Sequence, residues 1–124
     1  METINKEKDY SLYKKLFSFK TYSERHILNN IAKVNNQLRI HYVDELYELY
    51  KNFYRALYNK GNIRNKAIND MLVNISMLDM NVDSIYEFKY IDDKRYKSVV
   101  SLLLDIKNIT YGWKNKINSE KEKQ

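Results

Sequence analysis

The sequence contains no cysteine and no proline, and only two of its 124 residues are glycine. The lack of cysteine excludes disulfides, thiolate zinc sites, iron–sulfur clusters and cysteine nucleophiles. Proline and glycine supply the tight turns of β-rich folds and interrupt helices, so their scarcity favours a chain made of long helices. We therefore predict an all-α fold.

Long apolar runs are missing as well. The longest are a few residues such as Leu102-Leu103-Leu104, and the first residues of the chain are mostly polar. A membrane-spanning helix needs about 20 consecutive apolar residues, and a signal peptide needs an apolar segment of its own. We expect neither, and hence a cytoplasmic protein with no membrane partner.

Apolar residues instead recur at helical spacing, in alternating steps of three and four. One such seam runs through Val43, Leu46, Tyr50, Phe53 and Leu57, and Tyr47 and Tyr54 widen it. Two further seams run through Ile68, Met71, Ile75, Leu78, Val82 and Ile85, and through Tyr96, Val99, Leu103, Ile106, Thr110, Trp113 and Ile117. The first quarter has two shorter sets, Leu12, Leu16 and Phe19, then Ile27, Ile31 and Val34, with polar residues between them. The first helix is therefore predicted to be bent, frayed or partly exposed near residues 20–24.

The seams and the short polar segments between them predict four helices, at about 9–34, 38–59, 63–89 and 93–117. Loops this short force neighbouring helices to be antiparallel. The predicted architecture is an up-down-up-down antiparallel four-helix bundle, a single domain over residues 1–118, followed by a charged, frayed tail at 119–124. Asp92 or Asp93 is predicted to cap the fourth helix.

Few residues are arranged for catalysis. The two histidines, His26 and His41, lack the Glu-x-x-His spacing of di-iron bundles, and the sequence has no glycine-rich phosphate loop or nucleophile elbow. Asp79, Asp83 and Glu87 share one helix face, which indicates either a solvated acidic face or a cation site. We expect no catalytic residue, no metal and no cofactor, and a metal-dependent enzyme using these acids is the alternative.

Charge is segregated along the chain, although the formal net charge is only +6. Residues 51–66 contain five cations and no acid, whereas residues 70–93 contain six acids and one lysine. In an up-down-up-down bundle the second connection lies at the same end as the start of helix one and the end of helix four. About eleven net positive charges would meet there, which is typical of surfaces that bind phosphate-rich partners.

The candidate nucleic-acid-binding residues of this basic end are Lys14, Lys15, Lys51, Arg55, Lys60, Arg64, Lys66, Lys107, Lys114 and Lys116. Solvated lysines of a basic protein from an A/T-rich genome are the alternative interpretation. Four tyrosines, Tyr42, Tyr47, Tyr54 and Tyr58, either stack on the bases of a single strand or form core and subunit contacts. Apolar surface beyond one seam per helix predicts self-association.

The segment Ser101–Lys114 resembles a known family. Its hydrophobic run, the acidic Asp105 followed by Ile106, and the Gly112-Trp113 pair are similar to the helix-four motif of the accessory variability determinant of diversity-generating retroelements. This superfamily includes the small proteins encoded in intervening sequences of ribosomal RNA genes. Ile27, Leu28, Ile31, Arg39 and Ala56 also fall at corresponding positions, so that the resemblance covers about residues 20–118. Asn35-Asn36 replaces the family's Pro-Lys, and the central arginine of helix three is missing.

The resemblance implies a basic homopentamer of four-helix protomers that binds RNA or DNA with little sequence preference. It also implies a reverse transcriptase as partner, with the protein supporting mutagenic cDNA synthesis without catalysing it. The relatives from ribosomal RNA intervening sequences imply a second possibility, a four-helix interaction protein without a polymerase partner. Both possibilities remain open from the sequence.

Overall fold

The computed structural model describes the backbone of residues 10–122 and the side chains of residues 10–116. Within these residues the chain forms four long helices and two short 3₁₀ turns, and it forms no strand. The helices are α1 (Ser11–His26), α2 (Asn36–Tyr58), α3 (Gly61–Glu87) and α4 (Asp93–Glu122). The predicted all-α class is confirmed, and the arrangement is consistent with a helical bundle. No helix in the described part of the chain is long and apolar enough to cross a membrane.

The helices pack through the predicted apolar seams of α1, α3 and α4. In α2 the predicted Leu46 and Phe53 are buried, but Val43, Tyr50 and Leu57 are half-buried, and the buried apolar face includes Tyr42, Leu49 and Ala56 instead. The main contacts join α2 to α3, α3 to α4 and α1 to α4. Six seam residues predicted to be buried are each at most 4% exposed: Leu46, Phe53, Ile75, Leu78, Leu103 and Ile106. Full burial of one such side chain contributes about 1.5–3 kcal/mol, so the seams provide much of the driving force for packing. Ile117 lies outside the described side chains.

The first helix is shorter than predicted. It ends at His26 instead of reaching residue 34, and the two 3₁₀ turns occupy the following residues. Ile27 and Ile31 are still buried, but Val34 is 87% exposed, which corrects its assignment to the core. An irregular segment can bury a pair of apolar residues without helical periodicity, so the spacing alone overestimated the helix.

The end of α1 is held by Arg39, which lies in the first turns of α2. Its guanidinium donates hydrogen bonds to the backbone carbonyls of Leu28 at 3.0 Å and of Ile31 at 2.7 Å. The Leu28 carbonyl also accepts the backbone N–H of Ile31 at 3.4 Å, within the first 3₁₀ turn, so the guanidinium adds hydrogen bonds from α2 to an irregular segment. Arg39 is therefore a structural residue that joins α1 to α2.

Partial exposure occurs as predicted at residues 20–24, where residues 20–22 are half-buried and Glu24 is exposed. The predicted fraying does not occur, because α1 is continuous there. Its polar Ser23 is buried, and the hydroxyl shares a hydrogen bond of 2.5 Å with the hydroxyl of Tyr42 on α2. The ring of Phe19 stacks on Tyr42 with 6.0 Å between centroids. A serine that looked like a break in the seam is thus a satisfied polar contact inside it.

The other helix boundaries lie close to the predicted ones. Asp92 caps α4 as predicted, since its Oδ1 accepts a hydrogen bond from the backbone N–H of Arg95 at 2.9 Å. Gly61 begins α3 with a φ of 62°, a left-handed conformation that glycine adopts without steric cost. The backbone of α4 is helical to Glu122, so the helix extends past the predicted boundary at residue 117 into the predicted tail at 119–124. Residues 123–124 of that tail lie outside the described residues.

Candidate nucleic-acid interface

Trp113, the single tryptophan of the chain, lies on α4 and contacts residues of α2 and α3 and the residue that precedes α1. Tyr10, directly before α1, contacts the Trp113 ring edge-on with 6.0 Å between centroids. Phe53 of α2 lies 5.9 Å away, and the guanidinium carbon of Arg64 of α3 lies 5.1 Å from the ring centroid. The sequence placed Trp113 on an apolar seam, and the structure adds that a cation covers the ring.

Arg64 is half-buried and lies over the Trp113 indole in a cation–π contact, which is typically worth 0.5–1 kcal/mol or more. Its Nε atom is buried and has no hydrogen-bond partner among the described residues. A buried donor without an acceptor costs about 1–3 kcal/mol. The ring of Trp113 therefore holds this guanidinium in place without any carboxylate or carbonyl of the described chain.

Three of the ten candidate cations lie in ion pairs. Lys15 contacts Asp105 at 3.1 Å, Lys51 contacts Glu48 at 3.3 Å, and Lys66 contacts Asp70 at 2.8 Å. Exposed pairs of this kind contribute roughly 0–1 kcal/mol to stability. Their carboxylates nevertheless offset part of the positive potential, so these lysines attract phosphate less than free cations would.

The remaining cations divide into two groups. Arg55 donates a hydrogen bond of 3.2 Å to the amide oxygen of Asn52, and Lys107 borders a cavity between α3 and α4 that Asp79 also lines. Lys14 is exposed on α1, one turn beyond Tyr10. The other four are Arg64 itself and three lysines that lie within four residues of Arg64 or Trp113 in the sequence. We call them the basic cluster: Lys60, Arg64, Lys114 and Lys116.

Acidic residues are missing from the chain segments that carry the basic cluster. Neither residues 49–69 nor residues 106–119 contain an aspartate or a glutamate. Lys60 and Lys116 are exposed, and Lys114 is half-buried. A group of cations on acid-free segments creates a local positive potential that nearby side chains on the same segments do not neutralise.

The tyrosines proposed as stacking platforms differ in exposure. Tyr42 is fully buried against Phe19, so of the two alternatives it makes a core contact and cannot stack on a base. Burial also raises the pKa of the Tyr42 hydroxyl. Tyr47 and Tyr58 are more than half exposed, while Tyr54 is half-buried with its ring 5.1 Å from that of Phe53. Helical spacing alone does not distinguish a buried tyrosine from an exposed one when neighbouring positions of the helix both carry tyrosine.

An aromatic groove between α1 and α2 was not predicted. It encloses about 390 Å³ and is lined by Tyr13, Phe17, Lys20, Tyr47, Tyr50, Lys51 and Tyr54. Phe17 and Tyr47 are more than half exposed. Burial raises the pKa of the Tyr50 hydroxyl, which has no hydrogen-bond partner among the described residues. The spacing of Tyr13 and Phe17 on one face of α1 was the available signal, but only the packing of α1 on α2 brings the two sets of rings together.

The acidic face of α3 is solvated. Asp79, Asp83 and Glu87 are exposed, and Asp83 accepts a hydrogen bond of 2.7 Å from the Tyr96 hydroxyl. This bond to the carboxylate raises the pKa of Tyr96 to about 12. Among the described residues, no group of three or more histidine, aspartate or glutamate side chains is placed to hold a metal ion. His26 and His41 are both exposed.

Comparisons of the chain with protein-family models, with curated proteins and with solved structures gave no match. The features of the chain that bear on its function are the basic cluster, the contacts of Trp113 and the family-like motif of α4.

Proposed function

We propose that the chain is a non-catalytic, cytoplasmic accessory protein of a diversity-generating retroelement. In this role it binds RNA or DNA and the reverse transcriptase, and it supports mutagenic cDNA synthesis. The observation that carries the proposal is the basic cluster on acid-free segments around Trp113. The helix-four motif, which includes the same Trp113, adds the family context.

The proposal includes an up-down-up-down antiparallel bundle. Along α3 and α4, the early Arg64 contacts the late Trp113, whereas the late Asp83 contacts the early Tyr96. The aromatic contacts between α1 and α2 follow the same reversed order. Antiparallel neighbours bring the connection between α2 and α3 near the start of α1, which supports a single basic end.

Binding at this end would be electrostatic and largely independent of sequence. Lysine and arginine side chains contact phosphates, and each contact releases a condensed cation from the nucleic acid. Phosphate contacts position a protein on the strand without reading bases, as an accessory factor that must act on varied templates requires. The chemistry of nucleotide addition would belong to the reverse transcriptase.

The first test is the salt dependence of binding. The full-length protein is titrated into fluorescein-labelled single strands of about 20 nucleotides, RNA and DNA, and anisotropy is measured from ~50 mM salt upward. If each cation of the basic cluster contacts one phosphate, the log–log slope of affinity against salt should be about −2.8. Absence of binding at ~50 mM salt, or binding that salt does not weaken, would contradict the proposed function.

The second test concerns assembly. The family resemblance predicts a pentamer, so light scattering should give about five times the chain mass of 15.1 kDa. Exposed apolar side chains, Phe17 and Tyr47 among them, provide surface for subunit contacts. Measurements at low and high salt separate apolar assembly from charge-driven aggregation. A strictly monomeric protein at tens of micromolar would argue against the accessory-protein proposal.

The alternative is an interaction protein of the ribosomal RNA intervening-sequence type, without a polymerase partner. The exposed Asp79 and Asp83 on α3, the helix in which the retroelement family has its central arginine, favour this alternative. A reverse transcriptase gene and a variable repeat next to the coding sequence would support the retroelement role. Co-purification with that reverse transcriptase would then test the partnership directly.

A further inference from the structure

Arg64 differs from every other cation of the basic cluster in how it is held. One side of its guanidinium is covered by the Trp113 ring, and no hydrogen bond or ion pair links it to the described residues. Lys60 and Lys116 are exposed, whereas Arg64 is half-buried and its guanidinium lies over an aromatic ring. Arg64 is thus the cation of the basic cluster whose position is supported by packing.

We propose that Arg64, oriented by Trp113, is a preformed binding site for one phosphate group of a single-stranded nucleic acid. The site depends on the proposed nucleic-acid-binding function and adds which residue positions the strand. Of the three guanidinium nitrogens only Nε is buried without a partner among the described residues, so the two terminal nitrogens are the donors left for a ligand. A planar pair of N–H donors matches two phosphate oxygens, which a lysine cannot do.

Charge favours phosphate as the ligand. The segments that carry Arg64 and Trp113 contain no acid between residues 49 and 69 or between 106 and 119. Lys60 directly precedes α3, four residues before Arg64, and Lys114 directly follows Trp113. A phosphodiester can therefore bind at Arg64 while its neighbouring phosphates contact these lysines. Because a guanidinium fixed in advance loses little rotamer freedom on binding, more of the interaction energy appears as affinity.

The deciding variant is Arg64→Lys, which keeps the charge but loses the planar guanidinium. Binding of an oligouridylate of about 20 nucleotides should become roughly tenfold weaker at ~100 mM salt, with an unchanged salt slope. Arg64→Gln removes the charge too, so its affinity should fall further and its slope should flatten by about 0.7. Arg25→Lys is the matched control, because Arg25 is exposed near the end of α1 and lies outside the basic cluster. It should bind like the original protein.

Trp113 provides a second, local measurement because it is the only tryptophan. Oligouridylate should change the tryptophan emission of the original protein with the same midpoint as the anisotropy titration. An abasic phosphodiester strand of equal length should show the same dependence on Arg64, because the site binds phosphate and not base. Circular dichroism and a thermal melt of Arg64→Lys verify that the variant is folded.

The possible results distinguish a failure of the phosphate site from a failure of the proposed function. If Arg64→Lys is folded and binds as tightly as the original protein, the phosphate site is wrong while the proposed function stands. If the original protein binds no strand at ~50 mM salt, both are overturned. If polyglutamate of equal length binds as tightly and with the same dependence on Arg64, the site takes carboxylates of a protein partner, and the assignment to phosphate is wrong.

Discussion

Reversing four exposed cations should weaken the binding of single-stranded RNA or DNA roughly 100-fold or more at ~100 mM salt. The four substitutions are Lys14→Glu, Lys60→Glu, Lys66→Glu and Lys116→Glu. All four side chains are exposed. Of the four, only Lys66 forms an ion pair with a described residue, and this pair with Asp70 lies on the surface. The fold should therefore survive, while four attractive charges become repulsive. Fluorescence anisotropy measures the affinity, and the salt slope should flatten at the same time.

A control with the same change in net charge tests the location of the site. It replaces Arg25, Lys33, Lys94 and Lys97 by glutamate. These side chains are also exposed, and they lie outside the ten candidate residues. The control should weaken binding only a few-fold, through the field of the whole protein. Equal losses in the two variants would show that total charge determines binding, and the placement of the site at the predicted basic end would be wrong.

The sequence predicted the helical core well because burial follows periodicity. Ile75 and Leu78 on α3, like Leu103 and Ile106 on α4, recur at steps of three or four and are all buried. In a helix this spacing keeps side chains on one face, so the same pattern predicts both the helix and the face that is buried. Short loops then limit how the helices can be connected.

The end of α1 could not be predicted in this way. Ile27 and Ile31 are buried, as their spacing suggests, yet they belong to an irregular segment. What stabilises that segment is the bond from Arg39 to the carbonyls of Leu28 and Ile31, a contact with the next helix. Local pattern does not contain such a contact, so Val34 was wrongly placed in the core.

The candidate site was predicted only as a region. Charge segregation indicated that cations collect near the second connection. It could not show which of them are neutralised: Lys15 forms an ion pair with Asp105, whereas Lys60 lies on a segment, residues 49–69, that contains no acid. The role of Trp113 as a support for Arg64 depends on the register of α3 against α4. That register is a property of packing, which spacing within one helix does not determine.

Replacing Phe53 by alanine should lower the free energy of unfolding by about 3–5 kcal/mol. The side chain is fully buried, and its ring lies 5.9 Å from Trp113 and 6.4 Å from Tyr13. Alanine would leave a cavity among residues of three helices, and the loss is a large part of the 5–15 kcal/mol typical of a domain. Urea unfolding followed by circular dichroism measures the change.

The same substitution should also weaken nucleic-acid binding, because Phe53 supports the ring on which Arg64 lies. Phe53→Leu keeps most of the volume and should cost less than about 1.5 kcal/mol, so it allows binding to be measured in a folded protein. Phe17→Ala is the matched control, since Phe17 is 53% exposed and should change stability by less than about 1 kcal/mol. If Phe53→Ala and Phe17→Ala lose the same small amount, Phe53 is not the packing centre between α1, α2 and α4 that its contacts with Tyr13 and Trp113 indicate.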